Sequence, residues 1–229
     1  MDRERERKVV RWLASIQEEA EAIYLLGDLF DFWFEYKRVV PKGHLRFLGK
    51  LAELSDGGVP IHIFSGNHDA WMFGYLEDEL NLTIQHRPLS IELKGKKFYL
   101  GHGDGLGPGD HGYKFMKKIF RAPFNQWLFA RLHPNFGLGV MQRFSSTSRE
   151  AQKDSGGFLG ADKEWLVQFC EEHQKEDPHD YYIFGHRHWP IDHLLSDGRG
   201  RYINCGEWIT QYEYVVYDGH SLTLQKYTE

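Results

Sequence analysis

Four short segments of this 229-residue sequence place oxygen and imidazole donors directly after an apolar run and a glycine. They are Gly27-Asp28, Gly66-Asn67-His68-Asp69, Gly101-His102-Gly103-Asp104 and Gly185-His186-Arg187-His188. Asp, Asn and His bind hard or borderline divalent metals through oxygen and ring nitrogen. The glycine lets the backbone turn tightly and approach closely. Each segment alone has a plainer meaning. Asp28 would serve equally as a helix cap, Asn67-His68 as a turn, and a single buried histidine as a hydrogen-bonded core residue. Four coincidences of one kind, each at a strand end, point instead to a divalent-metal site.

The elements that must position these residues follow from hydrophobic periodicity. Residues 2–21 read as an amphipathic helix with Val9, Trp12, Leu13, Ile16 and Ala20 on one face. The alternating charges of 3–8 read as its solvated side. An apolar strand over 22–26 delivers Asp28, and Asp31 follows inside an aromatic cluster. A helix over 44–54 leads to a strand at 60–64, which empties into Asn67-His68-Asp69. That succession is βαβ architecture. A short helix at 71–80 and strands at 82–86, 89–93 and 97–100 lead to His102. Residues 106–160 are different in kind, with large apolar residues such as Phe115, Phe120, Phe124, Trp127 and Phe136 among Lys114, Lys117, Lys118, Arg121, Arg131 and Arg143. They read as helices forming an inserted cap within a single domain spanning 1–229. A helix at 161–176 and a strand at 181–184 then deliver His186 and His188. Strands at 192–195, 201–204, 212–217 and 221–226 close the fold.

Composition bounds the function. A net charge of −5 and no basic stripe exclude a long nucleic acid as partner. Two cysteines, Cys170 and Cys205, make no disulfide framework and fit a reducing cytoplasm. The charge run after Met1 is unlike a signal peptide, and no apolar stretch reaches the length of a membrane span.

The order G-D, G-N-H-D, G-H-G-D and G-H-x-H resembles the calcineurin-like metallophosphoesterase superfamily. Within it the chain is most similar to the UDP-2,3-diacylglucosamine diphosphatases of lipid A synthesis. Gly27-Asp28-Leu29-Phe30-Asp31-Phe32-Trp33 carries that likeness, as do Asp104, Leu106, Asp110 and Tyr113 in the continuation of the His102 segment, and the aromatic, basic cap. The resemblance implies an α/β two-sheet sandwich flanked by helices, with the cap holding acyl chains. It implies two divalent metals, usually manganese. Asp28 would bridge them, Asn67, His102 and His186 would complete one site, and His188 would belong to the other. His68 would stand near the leaving oxygen as general acid or charge stabiliser, with Asp69 orienting it. Asp110, Tyr113, Arg149 and Lys153 would contact substrate. The reaction implied is hydrolysis of a nucleotide-lipid pyrophosphate to UMP and 2,3-diacylglucosamine 1-phosphate, by a cytoplasmic protein peripheral to the inner membrane.

Two departures keep rivals open. The superfamily begins with Asp-x-His on a first strand, and this sequence shows neither before Asp28. The expectation is a missing upstream segment; otherwise one metal position is weak, and the chain is a metal-poor homologue that binds a lipid or protein without catalysis. The diphosphatases best known carry Arg where His68 stands, which leaves another phosphodiester or a nucleotide as an alternative substrate.

Overall fold

The computed structural model describes residues 2–109, 111–141, 143, 157, 158 and 160–228. The chain divides into two compact units, Met1–His86 with Lys114–Ser155, and Arg87–Tyr113 with Gly156–Glu229.

The first unit opens with helix α1 (Arg3–Ile16). The Asp2 carboxylate accepts the amides of Glu4 and Arg5 at 3.0 and 2.9 Å, a side-chain cap for its open N–H groups. Val9, Trp12 and Leu13 are buried, as their spacing predicts. The helix stops short of residue 21 and ends in a turn on the Ile16 carbonyl, which accepts the amides of Glu19 and Ala20. Glu6 corrects the reading of 3–8 as wholly solvated. It is buried and accepts the amides of Arg46 and Phe47 at 2.9 and 3.3 Å. Those amides open helix α2 (Leu45–Asp56), whose own N-cap residue, His44, makes no side-chain cap. A carboxylate at a helix N-terminus satisfies donors that the helix cannot.

Strands β1 (Ile23–Leu25), β2 (Ile61–Phe64) and β3 (Thr83–Gln85) form a parallel sheet in that order, with Leu25 opposite Ile63 and Ile63 opposite Ile84. Helix α2 joins β1 to β2, and α3 (Tyr75–Leu80) joins β2 to β3. The helix expected from residue 71 starts only at Tyr75, because aromatic packing claims the residues before it. Trp71 forms a parallel bridge with Phe34, and Phe30, Trp33, Phe34 and Trp71 bury their rings together. Glu35 is buried among them. It accepts from Trp33 Nε1 at 3.0 Å and from the amides of Phe73 and Tyr75 at 2.5 and 3.1 Å. Helices α4 (His111–Arg121) and α5 (Pro123–Phe129) bury none of their described residues.

The second unit holds a five-stranded sheet in the order β4-β5-β6-β8-β7. Its strands are β4 (Leu89–Leu93), β5 (Lys96–Gly101), β6 (Tyr181–Phe184), β7 (Pro190–Leu194) and β8 (Arg201–Cys205). Strands β5, β6 and β8 run parallel, and β4 and β7 are antiparallel edges. Strands β9 (Glu213–Tyr217) and β10 (Leu222–Lys226) form a separate antiparallel ribbon. The helix predicted over 161–176 is divided. A 3-10 turn at Ala161–Lys163 and an extended Glu164 precede helix α6 (Trp165–Glu176). Helix α6 packs Leu166, Val167 and Cys170 into the core with Tyr182, Phe184 and Tyr202.

Candidate functional site

In the first unit the parallel register of β1 and β2 brings their C-terminal loops to one end of the sheet. Asp28 follows β1 with φ +55°, and Asn67, His68 and Asp69 follow β2. A left-handed backbone costs a residue with a Cβ about 1–2 kcal/mol, and such strain gathers at functional sites. The surrounding bonds show what holds it. Asp69, fully buried, accepts the amides of Gly66 at 2.7 Å, Leu29 at 2.7 Å and Asp28 at 3.3 Å. One carboxylate thus ties the two loops together. The amide of His68 donates to Asp28 Oδ1 at 2.8 Å, which fixes the Asp28 side chain, and the His68 carbonyl accepts from Trp33 N at 3.3 Å. Gly66 is required by approach. A Cβ built on it would stand 2.1 Å from Asp28 Oδ1 and 2.5 Å from the Asp28 amide nitrogen.

In the second unit the parallel register of β5 and β6, with Gly101 opposite Phe184, brings His102 and His186 to one sheet end. Their ring centroids are 5.1 Å apart. His186 and His188 both have left-handed backbone, at φ +64° and +53°. The amide of Gly185 donates to the His102 carbonyl at 3.1 Å, and Asn204 Nδ2 donates to the Gly185 carbonyl. Tyr113 donates to Asp104 Oδ2 at 2.6 Å, and its ring centroid lies 6.2 Å from that of His186. Arg187, between the two left-handed histidines, donates from Nε to both oxygens of buried Glu164 at 2.9 and 3.0 Å. Each unit by itself offers donors that suit a divalent metal ion: carboxylate and amide oxygens in the first, where glycine stands in place of a Cβ that would crowd Asp28, and imidazoles in the second.

A third group, His173, Asp177 and His179, offers ligand atoms within 4.8 Å of one another. Its bonds are otherwise committed. His179 Nδ1 lies 2.7 Å from the Asp177 carbonyl, which only accepts, so Nδ1 carries the proton and Nε2 accepts from Ser90 Oγ at 2.7 Å. His173 Nδ1 lies 3.3 Å from Tyr182 Oη. Lys97 Nζ pairs with Asp177 Oδ1 and sets a cation beside it. Burial, above all, holds the pKa of His179 below the usual histidine value.

Of the predicted site residues, Asp28, His68 and Asp69 are joined by hydrogen bonds in the first unit, with Asn67 on the same loop. His102, His186, His188 and Tyr113 lie in the second. Asp110, Arg149 and Lys153 lie outside the described residues. Reasoning from the sequence missed Asn204 and Glu164. Asn204, fully buried, stands at the end of β8 before Cys205-Gly206, so it repeats the strand-end pattern of the other segments. Nothing local marked Glu164.

Known proteins bear on these residues. A model of the family described as calcineurin-like phosphoesterase matches residues 3–190. A Porphyromonas gingivalis protein named UDP-2,3-diacylglucosamine hydrolase is 42% identical over 233 aligned positions, covering 96% of this chain and 88% of that protein. Proteins of the same name from Aeromonas hydrophila and Shigella sonnei are 30% and 28% identical, covering 89% and 88% of this chain and 83% of each relative. A solved structure of a hypothetical protein from Pyrococcus horikoshii shares the fold with a TM-score of 0.51 at 12% identity, over 97% of this chain and 81% of that one. The strand-end donors, their order and a family match across most of the sequence agree: the chain belongs to the calcineurin-like phosphoesterase family.

Proposed function

We propose that the protein hydrolyses the pyrophosphate bond of UDP-2,3-diacylglucosamine, releasing UMP and 2,3-diacylglucosamine 1-phosphate for lipid A synthesis. The observation that carries this reading is the 42% identity, over nearly the whole chain, to a relative named for that substrate. Asp28, Asn67, His102, His186 and His188 serve as ligands of divalent metal, Mn2+ by preference. Bound metal supplies electrostatic stabilisation of the phosphoryl group and a water of lowered pKa. The chain's own part is positional. Asp69 locks the loops that carry Asp28 and His68 into one arrangement. The His68 amide sets the Asp28 carboxylate, and its imidazole supplies charge or a proton at the leaving oxygen. Tyr113, held by Asp104, stands beside His186 as a substrate contact, with Asp110, Arg149 and Lys153 assigned the same task.

Residues 106–160 serve as an inserted cap that receives the acyl chains. What supports this is a set of large apolar side chains left in solvent, with Phe115 64%, Phe124 69% and Phe136 62% exposed, beside Lys114, Lys117 and Lys118. Plain packing would have buried them. The same surface supports a location at the cytoplasmic face of the inner membrane. No helix among the described residues is long and apolar enough to cross a membrane.

The test is Mn2+-dependent release of UMP from detergent-dispersed UDP-2,3-diacylglucosamine, set against a soluble nucleotide diester. Release from the lipid substrate at least 100-fold faster, per unit kcat/KM, is the expected outcome. Equal or faster cleavage of the soluble diester would overturn the substrate and leave a phosphodiesterase of another target.

A further inference from the structure

His186 and His188 hold a backbone that residues with a Cβ avoid, and they do so on either side of Arg187. Such geometry persists only where the surroundings over-determine it. Two anchors do so. On the backbone, the Gly185 carbonyl accepts from the Arg187 amide at 2.7 Å and from Asn204 Nδ2. Asn204 is itself set, since its Oδ1 accepts the Gly206 amide at 3.2 Å. On the side-chain level, Arg187 Nε is shared between Glu164 Oε1 and Oε2. Glu164 is 4% exposed and the Arg187 side chain 25% exposed.

Glu164 is rigid for reasons of its own. Its amide donates to the carbonyls of Gly160 and Ala161 at 3.2 and 3.3 Å, and its carbonyl accepts the Gln168 amide in the first turn of α6. The next residues of that helix, Leu166 and Val167, are core. The carboxylate is therefore fixed to a helix that packs into the core of its unit, and through it the loop between the two histidines is fixed as well. A guanidinium gripped by a buried carboxylate has one orientation, where a lysine in its place would keep the charge and lose the planar geometry.

We propose that Glu164 and Arg187 are positioning residues that set the metal affinity of His186 and His188. The pair touches no substrate in this scheme; it acts by holding two imidazoles in the orientation a metal requires. The inference rests on the reading of those histidines as metal ligands, and its readout is metal binding rather than turnover.

The experiment titrates metal-stripped protein with Mn2+, following heat of binding and the rise in Tm, for wild type, Glu164→Gln, Arg187→Lys and Asp192→Asn. Asp192 pairs with Arg201 between β7 and β8 of the same unit, on the strand that follows the histidine loop rather than within that loop, and serves as the control for losing an acid–arginine pair. Glu164→Gln and Arg187→Lys are each expected to raise the Mn2+ concentration at half-saturation about tenfold or more, the usual range for groups that orient a ligand. Asp192→Asn should lower Tm without changing Mn2+ affinity. In turnover the two brace variants should regain kcat at saturating Mn2+ with KM for substrate unchanged. Arg187→Lys keeps a cation opposite Glu164, so it decides the question should Glu164→Gln not fold. Wild-type Mn2+ affinity in either folded variant, or a loss no greater than that of Asp192→Asn, overturns the proposal. A wild type that binds Mn2+ and releases no UMP would sink the substrate assignment and leave the brace standing.

Discussion

The second unit contains two histidine groups of similar composition and opposite character. His173 and His179 stand with Asp177 within ligand distance, yet their backbone is ordinary: His173 lies within α6, and neither histidine has positive φ. Around them Gln174 Oε1 accepts from the His179 amide and from Tyr182 Oη, and Gln174 Nε2 donates to Asp197. Tyr99 packs against both rings. His186 and His188 sit in a strained loop that two buried anchors force into place. The first group is a satisfied polar core and gains nothing from an ion next to Lys97. The second keeps an unfavourable backbone that sets the direction of its side chains. Residue type alone would have ranked the two alike; backbone strain separates them.

The largest expected difference between the groups is in metal binding and turnover. His186→Ala should weaken Mn2+ binding and hydrolysis by more than roughly 100-fold, since even a residue that merely orients a ligand typically costs 10–100-fold. His173→Ala should leave both within about twofold per folded molecule. Calorimetric Mn2+ titration of both variants checks this. Comparable losses would mean that the satisfied group also serves metal, and the contrast would collapse.

Stability should show the reverse order. His179→Gln removes a side chain that is fully buried and bonded at both nitrogens, so a loss of about 2–4 kcal/mol is expected. The pH dependence follows from the same burial. His179 has a folded-state pKa below its unfolded value of about 6.5, because desolvation outweighs its bond to the Asp177 carbonyl; Lys97 and His173 push the same way and Asp177 opposes. Desolvation likewise lowers His44, His62 and His86. A base whose pKa is depressed by folding takes its proton more readily in the unfolded chain. Its contribution is full above pH about 6.5 and is lost as pH falls below it. Urea midpoints should therefore drop between pH 7.5 and 5.5, and less steeply in His179→Gln. A flat wild-type profile would show that these rings are not held neutral.

What the sequence disclosed and what it hid divide along one line. Strands whose apolar runs end in glycine and a donor were legible, because everything that defines them lies within a few consecutive residues. The loops after β1, β2, β5 and β6 are where Asp28, Asn67, His102 and His186 stand. The parallel β1-α2-β2 unit was legible for the same reason. Buried polar anchors were not. Glu6 meets Arg46 forty residues on, Glu35 meets Phe73 across thirty-eight, and Arg187 meets Glu164 across twenty-three. No local pattern encodes such a partner, and an acid in a charge run or beside a helix start reads as solvated by default. The delayed start of α3 has the same origin: the bridge from Phe34 to Trp71 is a long-range contact that overrides the local helical pattern.

The smallest effect is the sharpest test of strain as the distinguishing mark, because one substitution should act with opposite signs in the two groups. Glycine enters the left-handed region without the Cβ penalty, so His188→Gly should relieve about 1 kcal/mol in the metal-free protein. In the interior of α6 the same change at His173 should cost about 1 kcal/mol through helix propensity alone, with the lost contact to Tyr99 adding to it. Mn2+ should then reverse the ranking for the strained site. Added ion should raise the Tm of wild type and His173→Gly alike, and raise that of His188→Gly less. Thermal unfolding of the three proteins with and without Mn2+ reads all four signs. If His188→Gly were destabilised in the absence of metal, the His188 side chain would be contributing more to the metal-free fold than its backbone costs, and strain would no longer identify which histidines the fold reserves for function.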